Sequence, residues 1–191
     1  MKELQDRFTE TEWMCITFSP ICACYAIVFS DMRNETDKEF EVLFNSVEKY
    51  RQEYSKNSLV QSALSTFDGT EAFKKNLDRM QKFPEEIETN KEIIALAQLN
   101  SKIIQFVKDA KTRSVGGPVE ETMNACVIII GCANYILKGK NIPERIEFNR
   151  MLMGIATDVA SAVKEGGMLG FGKSISEKEE YILECLNKIL E

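Results

Sequence analysis

The sequence predicts an all-α protein: a compact bundle of about seven helices with two buried apolar helices. Apolar residues recur at the helical period along the chain, and no segment shows the two-residue alternation of a strand. Two stretches, 13–29 and 122–137, contain no charged residue at all. Charge-free helices are buried on all sides, and amphipathic helices wrap them. We therefore expect a single all-helical domain over residues 1–191.

Caps and turns divide the first half of the chain. Thr9 and Glu12 have the spacing of a capping box, which opens the first apolar helix. Pro20 lies inside this helix, where a proline is expected to cause a kink. The pair Asp68-Gly69 is typical of a turn and ends a short helix. These signals predict helices at about 10–30, 36–54, 58–67 and 70–82.

Prolines and glycines divide the second half. Pro84 fits the first turn of one long helix, Pro118 opens the next and Pro143 opens a third. Gly139 is expected to cap the middle one of these at its C-terminus, and Gly166-Gly167 to end the third. The predicted helices span about 84–112, 118–138, 143–164 and 176–190.

Composition excludes several classes of function. The net charge is −6 and no run of Lys and Arg occurs, which argues against nucleic-acid partners. The absence of histidine removes the usual general base and the commonest zinc ligand. All six cysteines lie in apolar helical stretches, as expected for reduced structural thiols of a cytoplasmic protein. The acidic residues before Trp13 do not resemble a secretory leader. We expect a soluble protein with no cofactor, no metal and no membrane span.

One motif points towards nucleotide binding. The octapeptide from Gly167 to Ser174, with Gly170, Gly172 and Lys173, satisfies the phosphate-loop pattern G-x-x-x-x-G-K-[ST]. That loop functions between a buried strand and a helix, whereas an amphipathic helix precedes it here and only seventeen residues follow. The preferred interpretation is a helix connection, in which Ser174-x-x-Glu177 or Ser176-x-x-Glu179 forms a capping box for the next helix. Simple anion binding at the loop is an alternative. Nucleoside triphosphate binding is not expected.

The same glycines carry a resemblance to a known family. The stretch Glu165-Gly166-Gly167-Met168-Leu169-Gly170-Phe171-Gly172, followed by Ser176 and Glu177, resembles the C-terminal part of an uncharacterised prokaryotic all-helical family, in which an E-G-G-x-L-G-F-G segment precedes the last helix. The opening Thr11-Glu12-Trp13 is also similar. The resemblance covers roughly a fifth of the chain and implies an all-helical fold without a known activity. Lys173 departs from the family pattern, in which glycine is frequent at that position.

Two further patterns leave alternatives open. Tyr25, Asn134, Tyr135 and Asp158 lie in mostly apolar helices and could line an internal polar pocket, although such residues commonly satisfy one another. The segments 22–27 and 132–137 share three residues at matching positions. A true repeat would give two related helical hairpins, and chance explains the match equally well.

These observations give a functional expectation but no catalytic residues. The leading hypothesis is a non-enzymatic helical module that binds a protein partner or associates with itself. The alternative is a carrier or sensor that holds a small apolar ligand between its helices.

Overall fold

The computed structural model describes residues 2–30, 36–68, 83–113, 118–162 and 175–191. Within these ranges the chain is helical and has no strand, which confirms the predicted all-α class. A short 3₁₀ turn, Ser65–Phe67, extends the fourth helix. The helices are α1 (Lys2–Gln5), α2 (Glu10–Val28), α3 (Thr36–Glu53), α4 (Ser58–Leu64), α5 (Phe83–Thr89), α6 (Lys91–Leu99), α7 (Ser101–Arg113), α8 (Pro118–Gly139), α9 (Arg145–Ala160) and α10 (Glu177–Leu190).

The two apolar helices, α2 and α8, form the centre of the described structure. They pack against each other more extensively than any other pair of described helices. Their antiparallel arrangement follows from Lys140, just after α8, whose amine pairs with Glu12 (3.0 Å) and donates to the Arg7 carbonyl (3.1 Å) beside the start of α2. Ile27 of α2 and Ile129 of α8 are completely buried. The prediction that both helices are buried is therefore confirmed.

The remaining described helices surround this pair. Helix α9 packs on α2 and α3, and α10 packs on α8 and α9. Helices α5, α6 and α7 also contact α8. Apolar residues at helical spacing in α9, from Phe148 to Val159, are buried against these neighbours.

The capping box predicted at Thr9 is present, and of the two alternatives before the last helix the one at Ser176 forms. The Thr9 hydroxyl accepts a hydrogen bond from the Glu12 amide, and the Glu12 carboxylate accepts one from the Thr9 amide. Ser176 and Glu179 repeat this exchange at the start of α10. Each box satisfies two backbone N–H groups that the first turn of a helix leaves free. The helix predicted at 70–82 lies outside the described residues.

The single helix predicted for 84–112 is wrong. The structure has three helices there, with interruptions at Asn90 and Asn100, where the backbone is extended. The Asn90 side chain accepts hydrogen bonds from the amides of Glu92 and Ile93, and that of Asn100 accepts one from Lys102. Each asparagine therefore starts a new helix in place of continuing the old one.

Two predicted boundaries also need correction. Gly139 is the last residue of α8, and the left-handed residue that ends the helix is Asn141, with φ of 52°. The Ile142 amide then donates to the Leu137 carbonyl, which closes the helix end. Helix α9 starts at Arg145, two residues after Pro143, and ends at Ala160, ahead of the expected end near 164.

Helices α2 and α8 are long and apolar enough to cross a membrane, judged by length and composition. Within the described structure, 72% of the apolar window in α2 and 61% of that in α8 is buried. The core helices of soluble proteins have the same properties, so these two helices are weak evidence for a membrane span.

Candidate ligand-binding site

The residues of the glycine loop cannot be assigned to a site from the described structure. Gly167, Gly170, Gly172, Lys173 and Ser174 lie outside the described residues. Neither the preferred interpretation as a helix connection nor the alternative of simple anion binding is tested there, and both stay predictions.

The predicted polar pocket is divided between separate places in the structure. Asn134 lies on α8, where its Oδ1 accepts hydrogen bonds from Asn149 (2.8 Å) and Arg145 (3.0 Å). Its Nδ2 donates to the Ile189 carbonyl, and that of Asn149 donates to the Leu190 carbonyl, each at 2.8 Å. The two buried asparagines thereby satisfy carbonyl groups at the C-terminus of α10. This arrangement anchors the last helix.

Asp158 belongs to a different cluster, at the crossing of α3 and α9. Its Oδ2 accepts hydrogen bonds from Ser46 Oγ and Lys49 Nζ, each at 2.9 Å, and Lys49 Nζ also donates to the Tyr50 hydroxyl at 3.0 Å. Hydrogen bonds to Tyr50 and Asp158 raise the pKa of Lys49, and burial raises that of Tyr50. The amine therefore stays protonated and the phenol neutral near pH 7, so neither provides a general base.

The two tyrosines are in unlike surroundings. Tyr25 is buried and stacks on Phe29 with ring centroids 5.1 Å apart, and burial near the Cys24 and Cys126 thiols raises its pKa. Tyr135 is 37% exposed. The structure thus leaves Tyr135 outside any internal pocket and does not bring the four residues together.

The described residues do form a different concave site, which we call the isoleucine groove. It has a volume of about 640 Å³ and lies among α5, α6, α7 and α8. Its walls are almost entirely aliphatic. The lining residues are Ile87, Ile93, Ile94, Ala97, Gln98, Ile103, Ile104, Lys108 and Ile128.

A short sequence pattern builds two walls of the groove. Asn90-Lys-Glu-Ile-Ile opens α6, and Asn100-Ser-Lys-Ile-Ile opens α7 ten residues later. In each, the asparagine caps the helix and an isoleucine pair follows in the first turn. The first isoleucine of each pair, Ile93 or Ile103, is buried, and the second is only half-buried. The repeated cap therefore places two isoleucine pairs along one groove.

The floor of the groove is fixed by close packing on α8. A Cβ atom at Gly131 would lie 2.6 Å from the Ile103 side chain, so only glycine permits this approach without movement. The thiol of Cys132 lies 3.9 Å from the Ile93 carbonyl oxygen, within reach of a weak hydrogen bond. Ile93 and Ile103 are thus held against the central helix while their neighbours face the groove.

Two polar residues distinguish the exposed side of the groove from its apolar interior. Gln98 on α6 and Lys108 on α7 line it and are both exposed, whereas the isoleucines that line it are buried or half-buried. Lys108 forms no ion pair with any other described residue. The groove can therefore hold an apolar group and offer an amide and a cation at its exposed side. It contains no nucleophile with a neighbouring base.

Metal ligation has no support in the described ranges. No group of three or more Cys, Asp or Glu side chains is placed to hold a metal ion there. Five cysteines are buried and Cys185 is half-buried, and none of the six forms a disulfide.

Comparison with known proteins adds no identity: no family model, no curated protein and no solved structure matches the chain. The resemblance of residues 165–172 to a prokaryotic helical family therefore stays a prediction. The sequence analysis placed Ile93, Ile94, Ile103 and Ile104 in one continuous helix, 84–112. The ten-residue repeat of Asn-x-x-Ile-Ile was the signal that could have revealed two helix starts and a shared wall.

Proposed function

We propose that this protein is a non-enzymatic binding module that holds the aliphatic chain of a small amphiphile in the isoleucine groove. The observation that carries the proposal is a groove of about 640 Å³ whose lining includes six isoleucines. Pockets for small ligands have volumes of about 300–1,000 Å³ and are mostly apolar with a few polar groups. The groove fits that description in both respects.

The lining favours an aliphatic ligand. It contains no aromatic side chain, so it offers neither stacking nor the quadrupole interactions that orient aromatic rings. Branched aliphatic walls gain from excluding water and from dispersion contacts, which an alkyl chain supplies along its whole length. The expected tail is therefore a saturated or singly unsaturated hydrocarbon chain.

Lys108 supports an anionic head group. Its ammonium lies at the exposed side of the groove, where a carboxylate could pair with it while the chain lies along the isoleucines. An exposed ion pair contributes roughly 0.2–1 kcal/mol, so the apolar tail supplies most of the affinity. The ligand class is thus a single-chain carboxylate.

Isothermal titration calorimetry tests both the binding of the chain and the preference for an anionic head group. The two probes are dodecanoate, kept below its micelle concentration, and dodecanol. We expect both to bind, with dodecanoate binding more tightly. Lys108→Gln should remove the preference for dodecanoate and leave dodecanol binding unchanged. Lys102→Gln, on the same helix but outside the lining, is the matched control and should keep the preference.

A second pair of variants tests the position of the site. Ala97 lines the groove, and Ala95 on the same helix is exposed and does not. Ala97→Phe should fill the groove and abolish binding of both probes, whereas Ala95→Phe should have no effect. Failure of both probes to bind the wild type, or equal loss in the two alanine variants, would overturn the proposal.

The earlier hypothesis of a protein-interaction module stays a prediction with less support. Among the residues whose side chains are described, the large exposed apolar ones are Phe44, Leu99, Tyr135 and Ile146, which lie on four different helices. Apolar residues scattered singly are ordinary on a protein surface. Competition between dodecanoate and an amphipathic peptide would show that the groove receives a helix as well.

A further inference from the structure

The residues that line the isoleucine groove become less accessible from one side of it to the other. Gln98 and Lys108 are exposed, whereas the most deeply buried lining residues are Ile87, Ile93 and Ile103. We call the part of the groove lined by these three isoleucines its inner end. A chain whose carboxylate pairs with Lys108 therefore has its methyl end directed towards the inner end.

Helix α7 connects the exposed side to the inner end. Lys108 and Ile104 lie one turn apart on the same face of α7, and Ile103 precedes them in its first turn. The five residues from Ile103 to Lys108 rise by about 7.5 Å along the helix axis. The Lys108 ammonium stands at the end of a four-carbon stem, which adds to this path. Only a chain long enough to cover the whole path contacts Ile103.

Gly131 lies directly behind Ile103, on α8. A Cβ atom at residue 131 would lie 2.6 Å from Cγ1 and from Cδ1 of Ile103, and 3.1 Å from Cγ2 of Ile189. Carbon atoms pack at about 3.5–4.0 Å, so a side chain at this position would move Ile103 away from α8 by about 1 Å. Because Ile189 also packs at this point and the groove lies beside Ile103, the space open to Ile103 is the inner end.

We infer that Gly131 determines the length of the chain that the groove accepts. It lets Ile103 lie against α8 and thereby leaves the inner end open for the methyl end of a long chain. The inference rests on the proposed binding of a single-chain carboxylate, and it names the long-chain members of that class as the preferred ligands. A side chain at residue 131 should shorten the inner end and leave the exposed side, with Lys108, unchanged.

Isothermal titration calorimetry with octanoate, decanoate, dodecanoate and tetradecanoate, each below its micelle concentration, tests this inference. Each methylene removed from water strengthens binding by about fourfold, so the affinity of the wild type should increase along the series. Gly131→Ala should weaken tetradecanoate binding by about 4-fold to 15-fold, which is the contribution of one or two methylenes. Octanoate binding should stay within about twofold of the wild type, because the shorter chain ends before Ile103.

Two further variants show whether the effect passes through Ile103. Gly139→Ala, on the same helix, is the matched control and should leave the whole series unchanged, since nothing lies within 4 Å of a Cβ there. Ile103→Val removes Cδ1, one of the two Ile103 atoms at 2.6 Å. Added to Gly131→Ala, it should restore part of the tetradecanoate binding. Alone, it should increase the ratio of tetradecanoate to octanoate affinity, because it enlarges the inner end.

The outcomes separate this inference from the proposed function. Equal weakening of all four chains in Gly131→Ala, or unchanged tetradecanoate binding, would overturn the role of Gly131 and leave the groove as the binding site. Failure of the wild type to bind any of the chains would overturn the proposed function itself. If Gly131→Ala does not fold, Ile103→Val alone decides, and an unchanged ratio of tetradecanoate to octanoate affinity would contradict the inference.

Discussion

The central pair, α2 with α8, and the groove wall, α5 to α7, use aliphatic residues in different ways. In the centre, Ile27 and Ile129 are completely buried, and small residues such as Cys22 and Cys126 let the helices approach. In the wall, asparagine caps divide the chain into three short helices, and half of each isoleucine pair stays partly accessible. A continuous helix can bury its apolar surface against one partner. The three short helices instead leave the isoleucine groove between themselves and α8.

The largest expected effect comes from aspartate substitutions at two adjacent residues, one in each region. Ile129 is completely buried in the centre, and Ile128 is half-buried and lines the groove. Ile129→Asp loses about 1.5–3 kcal/mol of side-chain burial and adds several kcal/mol of desolvation cost, which approaches the whole stability of a typical domain. We expect no folded soluble protein from this variant, measured by soluble yield and circular dichroism.

Ile128→Asp is the matched control and should remain folded, because water can reach its side chain. Similar losses in the two variants would mean that the groove wall is packed as tightly as the centre.

The next effect is alkaline destabilisation of the centre. Burial raises the pKa of Cys15 and of Cys22, and it raises the pKa of Cys132 to about 12. Above about pH 8.5 the unfolded chain releases these protons while the folded chain keeps them, so stability falls as the pH rises towards 12. Each such thiol contributes a slope of about 1.4 kcal/mol per pH unit.

Urea unfolding between pH 8 and 11 measures this slope. Cys132→Ala should make the slope shallower by the contribution of one proton. Cys185→Ala, at a half-buried position, should change it little. An unchanged slope in Cys132→Ala would show that the centre admits water around that thiol.

A smaller effect is expected where the centre meets the wall. Gly131→Ala places a methyl group 2.6 Å from Ile103, which must then move. We expect a destabilisation of about 1–3 kcal/mol, measured by urea unfolding. Ile103→Val removes one of the two Ile103 atoms at this distance, Cδ1, and should recover part of the loss in the double variant.

Gly139→Ala is the control for Gly131→Ala, since nothing lies within 4 Å of a Cβ at that position. It should be neutral or stabilise by up to about 1 kcal/mol, because alanine is the better helix residue. Equal destabilisation at the two glycines would contradict the close packing of α7 on α8.

The smallest effect concerns the caps that divide the wall. Asn90→Ala and Asn100→Ala each remove a side-chain acceptor from the first turn of a helix, and each should cost about 0.5–2 kcal/mol. Binding of dodecanoate should weaken in both, because the isoleucine pairs lose their fixed placement. Asn45→Ala, at an exposed position within α3, should affect neither stability nor binding. Unchanged urea midpoints for both cap variants would show that tertiary packing alone breaks the helix.

The sequence predicted the features that depend on neighbouring residues. Helical periodicity located α2, α3, α8 and α10, and the capping boxes at Thr9 and Ser176 marked two starts correctly. The absence of charge in α2 and α8 predicted their burial, because an uncharged helix has no face suited to water. These properties lie within one helix, so the residues that cause them are adjacent in the chain.

The tertiary structure decided what depends on residues far apart in the chain. Asn134 and Asp158 looked alike in sequence, yet one anchors the end of α10 and the other joins α9 to α3. The groove arises because α5, α6 and α7 pack on α8 at a point where Gly131 admits Ile103. The ion pair between Glu12 and Lys140 likewise joins residues that are far apart in the chain. Which side chains meet is fixed by how helices pack, and the spacing of residues within one helix contains no information about its partner.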